Sequence, residues 1–294
     1  MKKLLFSQTT EQRHWVGDGF PVRSIFSYND RAKEMSPFLL MDYAGPANFP
    51  ASSSKERRGV GEHPHRGFET VTIVYDGQVE HRDSAGGGGI IGPGDVQWMT
   101  AASGLVHEEF HGPDFAKQGG RFEMVQLWVN LPRAYKMSSP RYQGIVSKNI
   151  PSVELADGAG VARIIAGNFD GHKGPAMTFT SINLWDLRLK AGHTTEFKVP
   201  AGHTASVFVL SGKVRLGTGE VLQEASLAAL DPVGDVFSLA VESDAKVLFM
   251  GGEAIHEPVV GYGPFVMNSK AEIMQAITDY QLGRMGQLAQ EVVR

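Results

Sequence analysis

No cysteine occurs anywhere in the 294 residues. That absence removes disulfides, thiolate metal ligands, iron–sulfur clusters and cysteine nucleophiles together. Any metal must then be held by His, Asp or Glu. A chain without cysteine fits the cytoplasm, which is the expected location. A basic surplus is missing too: 28 Lys and Arg stand against 32 Asp and Glu, a formal charge of −4. Nothing neutralises a run of phosphates, so nucleic acid is not expected as a direct partner. No apolar run approaches the roughly 20 residues that span a bilayer, so no membrane partner is expected. The opening MKKLLFSQTTEQRHW offers only Leu4, Leu5 and Phe6 as an apolar stretch. A secretory signal needs about 7–15 such residues, so none is expected.

What is present reads as strand. The length is long for one domain and comfortable for two, and an apolar share of 42% suffices for two cores. β-Branched residues fill TVTIVY (70–75), VARIIA (161–166), SVFVL (206–210) and KVLFM (246–250), as strands favour. Gly and Pro punctuate the chain at DG (76–77), GGGG (86–89), GPGD (92–95) and SG (211–212). Short strands between regular turns predict sandwiches or barrels. GGGG invites a phosphate-loop reading, but no Lys-Ser/Thr follows and no helical pattern begins there, so a hairpin connection is expected. One helix is expected near the end. Ser269 and Glu272 make a capping-box pattern, and Ile273, Ala276, Ile277 and Tyr280 then recur at helical spacing.

The chain also repeats itself. TVTIVYDGQV (70–79) resembles ASVFVLSGKV (205–214), and GIIGPGDVQWM (89–99) resembles LAALDPVGDVFSL (227–239). The order is kept, so two copies of one β-domain are expected, joined between residues 140 and 160 near Pro140 and Pro151. We divide them as 1–145 and 146–294, with the closing helix in the second.

Two histidine pairs stand out in the first copy. His63 and His65 sit two apart where a strand begins, which places both side chains on one face, about 6.6 Å apart along the chain. Pro64 between them cannot donate to a ladder, so the segment is a strand entry or edge. The second piece is HEEFH, from His107 to His111. Its letters are those of a zinc peptidase, in which His107 and His111 would share a helix face and Glu108 would act as base. Ser103-Gly104 before it and Gly112-Pro113 after it leave about seven residues, marginal for a helix. As a strand, the same string puts His107 and Glu109 on one face and Glu108 on the other. Two antiparallel strands could then bring His63, His65, His107 and Glu109 together. Three neutral nitrogens and one carboxylate suit Fe(II), Mn, Ni, Cu or Zn and can leave positions open for a substrate.

At these residues the sequence resembles the pirin family of the cupin superfamily. The matching pieces are HPHRGFETVT, PGDVQWMTA, GLVHEEF, QLWVNLP and GEAIHEPVVGYGPFVMN, in the family's order across most of residues 60–270. The resemblance implies an all-β bicupin: two tandem jelly-roll-like β-barrels with a C-terminal α-helix, and metal only in the N-terminal domain. The family's ligands fall on His63, His65, His107 and Glu109, and its metal is usually iron, so one Fe(II) is expected. Glu69 matches a ligand position of other cupins; here it is expected beside the pocket, orienting a histidine. In the second copy, Lys198 and Pro200 align with His63 and His65, and Val247 and Phe249 with His107 and Glu109. None can rebuild the site, and His193 and His203 do not restore the spacing.

Pirins resemble quercetin 2,3-dioxygenases. The implied partners are a flavonol and O₂: Glu109 takes the proton of the flavonol 3-hydroxyl as ligand and base, oxygen bridges two ring carbons, the heterocycle opens and carbon monoxide leaves. Phe68, Trp98 and Met99 are candidates for the pocket wall. A second role attached to the family is non-enzymatic, a metal-binding cupin that regulates a protein partner. The zinc hydrolase spelled by HEEFH is the third reading.

Overall fold

Runs of β-branched residues set the architecture. The computed structural model describes residues 1–52 and 57–289. The four β-rich runs lie in the strands Phe68–Asp76, Gly160–Ala166, Thr204–Leu216 and Val236–Gly252. Gly77, at φ +87°, follows the first of these strands, in a conformation that glycine adopts without a Cβ penalty. Gly86–Gly89 does connect a hairpin, between Val79–Asp83 and Gly88–Ile91. Among the described residues, no helix is long and apolar enough to cross a membrane.

Contacts divide the chain into two units. An N-terminal unit gathers Gln12–Asp30, Phe38–Ser147 and Ile255–Arg294; a C-terminal unit gathers Met1–Glu11, Arg31–Pro37 and Lys148–Ala254. The inner break thus falls beside the 145/146 division read from the sequence, but both chain ends cross that division. The first strand, Leu4–Thr9, pairs antiparallel with Ser226–Leu230 of the C-terminal unit. The closing helix, Lys270–Gln281, buries Ile273 and Ala276 against Val106, Phe265, Met267 and Met285 of the N-terminal unit. Edge strands and amphipathic helices find partners by register and apolar area, not by nearness in sequence. The helix starts as expected: the Ser269 hydroxyl accepts from the Glu272 N–H at 3.3 Å and donates to its carboxylate at 2.8 Å. Tyr280, expected on the apolar face, is 40% exposed.

Among the described residues, the strands of the N-terminal unit form two large antiparallel sheets and a small two-stranded one. A four-stranded sheet runs Gly59–His65, Leu105–His111, Val79–Asp83, Gly88–Ile91. A seven-stranded sheet includes Val96–Thr100, Phe68–Asp76 and Gly120–Asn130 as neighbours. The C-terminal unit is built on one nine-stranded sheet. Its interior holds a column of rings: Trp185 stacks on Phe249 at 4.5 Å, Phe249 on Phe237 at 5.1 Å, and Phe237 on Phe197 at 5.0 Å. Phe249 and Val247, the counterparts of Glu109 and His107, are therefore core residues with no exposed surface. Lys198 and Pro200 point to solvent.

Candidate metal centre

The four-stranded sheet supplies the histidines. Gly59–His65 is its edge strand, so Pro64 leaves no ladder bond unmade. In the antiparallel register His107 lies opposite His63, and the ladder slips between His107 and Glu109. Ring centroids are 4.2 Å apart for His63 and His107, and 4.9 Å for both His65–His107 and His63–His65. One ring nitrogen from each of the three lies within 4.8 Å of the others. The Nδ1 atoms are already engaged: His63 donates to the Gly61 carbonyl at 2.8 Å, and His65 to the Pro264 carbonyl at 3.3 Å. A carbonyl only accepts, so these bonds place the proton on Nδ1 and leave Nε2 as a lone pair. His107 Nδ1 meets His81 Nδ1 at 3.2 Å, and His107 Nε2 is buried without a hydrogen-bond partner.

These features fit a metal ion. A buried, unpartnered imidazole nitrogen beside two others is a costly arrangement unless something accepts the lone pair. His65 and His107 are also uncharged: burial first, then the neighbouring histidines, holds both well below the ordinary 6.5. Between that depressed value and 6.5 the unfolded chain binds protons that the folded metal-free chain does not, so stability falls as pH drops through this window. In the presence of a chelator, the urea midpoint is expected to fall steadily from pH 7 to 5.5. A flat profile would contradict neutral burial of the pair.

Glu109 lies two residues along the strand from His107 and lines a cavity with His63. Gln126 Nε2 donates to its Oε2 at 3.0 Å, and Gln97 Nε2 makes a short bond to its Oε1. Gln97 is oriented in turn by Thr72 at 3.2 Å and by the Tyr142 hydroxyl at 3.4 Å. Burial, with the Glu109 and Asp83 charges, pushes that phenol up to about 12, so it stays a donor. His63, Glu109 and Gln126 line a cavity of about 30 Å³ together with Val16, Phe20, Val22, Asp42, Val60 and Met124. That is room for about one water. Glu109 groups with His107 and His81 as a second set of close ligand atoms, and His107 is the residue that this set shares with His63 and His65. His81 escaped the sequence reading. Its signal was His-x-Asp just before the glycine run, a spacing that on a strand puts His81 and Asp83 on one face.

Other expected residues fall elsewhere. HEEFH is wholly strand, within Leu105–His111. Glu108 points away from the histidines and pairs with Arg82. His111 is a core residue: its Nε2 donates to the Gly19 carbonyl at 2.9 Å, and its ring packs on Phe49 and Phe122 at 4.6 and 4.9 Å. Phe68 packs on the histidine cluster, edge-on to His65 at 5.1 Å and stacked on Trp128 at 4.3 Å. Trp98 does not, because it alternates with the inward-facing Gln97 and pairs with Val71 on the sheet's other face. Glu69 orients no histidine. Its carboxylate accepts from Thr100 Oγ1 at 2.6 Å with Arg141 at 3.9 Å, and burial raises it to about 7. Glu69 is set apart from His63 and His65 at Gly67, φ +92°, where the chain passes from one sheet to the other.

A double β-barrel chain with a histidine cluster in one unit is a bicupin, and the comparisons agree. The Pirin profile matches residues 19–129 and the Pirin C-terminal cupin domain profile residues 184–286. A Pseudomonas aeruginosa protein provisionally named a quercetin 2,3-dioxygenase is 55% identical over 284 residues, covering 97% of this chain and 98% of that one. Mouse pirin is 37% identical over 262 residues, 86% of this chain and 84% of its own. The crystal structure of a quercetin 2,3-dioxygenase from Acinetobacter baumannii matches with a TM-score of 0.95 at 52% identity, covering 98% of this chain and 99% of that one. The chain belongs to the pirin family.

Proposed function

We propose that the chain is a metal-dependent dioxygenase that opens the heterocycle of a flavonol such as quercetin, releasing carbon monoxide. The observation that carries it is the convergence of three histidine nitrogens, one of them buried and unpartnered, beside a carboxylate held by two glutamines. His63, His65, His107 and Glu109 would hold one divalent ion, Fe(II) first, with Mn, Ni, Cu or Zn as alternatives. When bound there, the ion would supply Lewis acidity toward the flavonol 3-hydroxyl and, for a redox-active metal, a partner for O₂.

The chain's own groups do the rest. Glu109 accepts the 3-hydroxyl proton, while Gln97 and Gln126 keep its carboxylate aimed into the cavity. Phe68 and Trp128 line the His65 side with apolar surface, which excludes water. A flavonol far exceeds 30 Å³, so Val16, Val60 or Met124 must shift to admit it. The relatives named as quercetin 2,3-dioxygenases support this substrate class. The test is O₂ uptake and carbon monoxide release with quercetin, on protein loaded in turn with Fe, Mn, Ni and Cu. Consumption of one O₂ per carbon monoxide is expected; neither gas change with any metal would end the reading.

A second reading, a metal-binding module for a protein partner, rests on a different observation. Val260, Tyr262, Ile273, Met274 and Ile277 line an open groove of about 540 Å³, with Tyr262 67% and Met274 62% exposed. It is the reading that stands if the gas measurements fail.

A further inference from the structure

His81 and Asp83 have no part in the chemistry above, yet they are nearly as buried as the histidine they serve. His81 is 1% exposed, Asp83 7% and His107 0%. Asp83 Oδ1 accepts the backbone N–H of Ala85 and of Gly87, each at 2.9 Å. Its Oδ2 faces His81 Nε2 at 3.2 Å. A Cβ at Gly87 would stand 2.4 Å from that carboxylate, so the glycine loop is shaped around Asp83. His81 is also pinned by its stacking on Tyr142, at 5.1 Å and 15°.

We infer that Asp83 and His81 act as a positioning relay that fixes the tautomer of His107, so that its Nε2 lone pair faces the metal. The logic is directional. Asp83 accepts on both oxygens, so His81 must carry its proton on Nε2. In the neutral His81 ring Nδ1 is then a lone pair, and His107, 3.2 Å away, supplies the hydrogen from its own Nδ1. His107 Nε2 is left bare, and it is the nitrogen that lacks a partner. For His63 and His65 a backbone carbonyl performs this task. For His107 the partner is an imidazole, which could donate or accept, and Asp83 decides which. The inference rests on the metal centre proposed above.

Asp83→Asn tests the direction of the relay. Two N–H groups fix Oδ1 as the amide oxygen, so the amide nitrogen must face His81 and donate to it. His81 then carries its proton on Nδ1, and His107 is forced to place its own on Nε2. Co(II) affinity of the intact chain, measured by calorimetry, is expected to weaken about 10–100-fold, the usual cost of losing a partner of a ligating histidine. His81→Leu should lose a similar factor. His81→Gln, whose amide can donate to Asp83 and accept from His107, should stay within about threefold of wild type. Nitrogen-resolved imidazole NMR of the metal-free wild type should show His107 protonated on Nδ1, a result that needs no variant to fold.

Asp83→Asn with intact near-UV dichroism and unchanged Co(II) affinity would overturn the relay. So would an Nε2–H tautomer for His107 in the wild type. If His81→Gln loses as much as His81→Leu, His81 is itself a ligand and the inference falls. Wild type that binds no Co(II) sinks the metal centre and the relay together, whereas binding without quercetin turnover sinks only the dioxygenase reading.

Discussion

Glu109→Ala is expected to lose at least about a hundredfold in metal affinity, whereas His111→Ala keeps wild-type affinity and loses stability instead. The two residues sit two apart in one strand and lead opposite lives. Glu109 lines the cavity with His63 and is held by Gln97 and Gln126. Removing it takes away the only carboxylate of the proposed ligand set, leaves the half-buried Gln126 amide without that acceptor and leaves the Nε2 of buried Gln97 with only Thr72. His111 lies among Phe20, Phe49, Phe115 and Phe122, with its Nε2 on Gly19. Burial holds it below the ordinary 6.5, so it packs as a neutral ring. Its truncation leaves a cavity and an unpaired carbonyl, a cost of about 2–4 kcal/mol. Metal content of the purified variants, with urea titrations beside it, reads both effects. Metal lost from His111→Ala and retained by Glu109→Ala would restore the peptidase pairing of His107 with His111.

Arg66→Ala should destabilise the N-terminal unit by about 2–4 kcal/mol. The guanidinium is 5% exposed and ties three parts of that unit together. Its Nε donates to the Ser103 carbonyl at 2.6 Å, and its Nη1 reaches Asp279 of the closing helix at 2.9 Å. Its backbone N–H and carbonyl bond Pro264 and Val266. Asp279 is 13% exposed and also pairs with Arg284, so truncation does not leave it wholly bare, which keeps the figure below the top of the range for buried pairs. The bonds from Arg66 and Arg284 hold Asp279 down at about 2. The check is a urea unfolding curve. A midpoint within error of wild type would mean that the helix is held by its apolar face alone.

Much of the site was legible because a strand's period is short and local. His63 with His65, and His107 with Glu109, need only alternation to share a face, and glycines on both sides of HEEFH excluded the helix. The gaps have equally physical causes. Strand alternation does not carry from His65 to Glu69, because the positive-φ turn at Gly67 between sheets resets the faces. His81 needed knowledge of which strand neighbours which: it sits opposite Glu109 through pairing of Val79–Asp83 with Leu105–His111, a register no local pattern specifies. The two-unit repeat was visible from matched turns, yet the exchange of chain ends was not, because Leu4–Thr9 bonds across more than 200 residues.

That exchange has a bearing on when the metal seat exists. The carbonyl that fixes the His65 tautomer belongs to Pro264, 199 residues later. A chain emerging from the ribosome presents His63, His65, His107 and Glu109 well before Pro264. The Pro264 acceptor, the Arg66–Asp279 tie and the helix that buries Val106 all follow more than 150 residues after Glu109. The seat around His65 is therefore complete only after the sequence of most of the C-terminal unit, which lies between these segments, has been made.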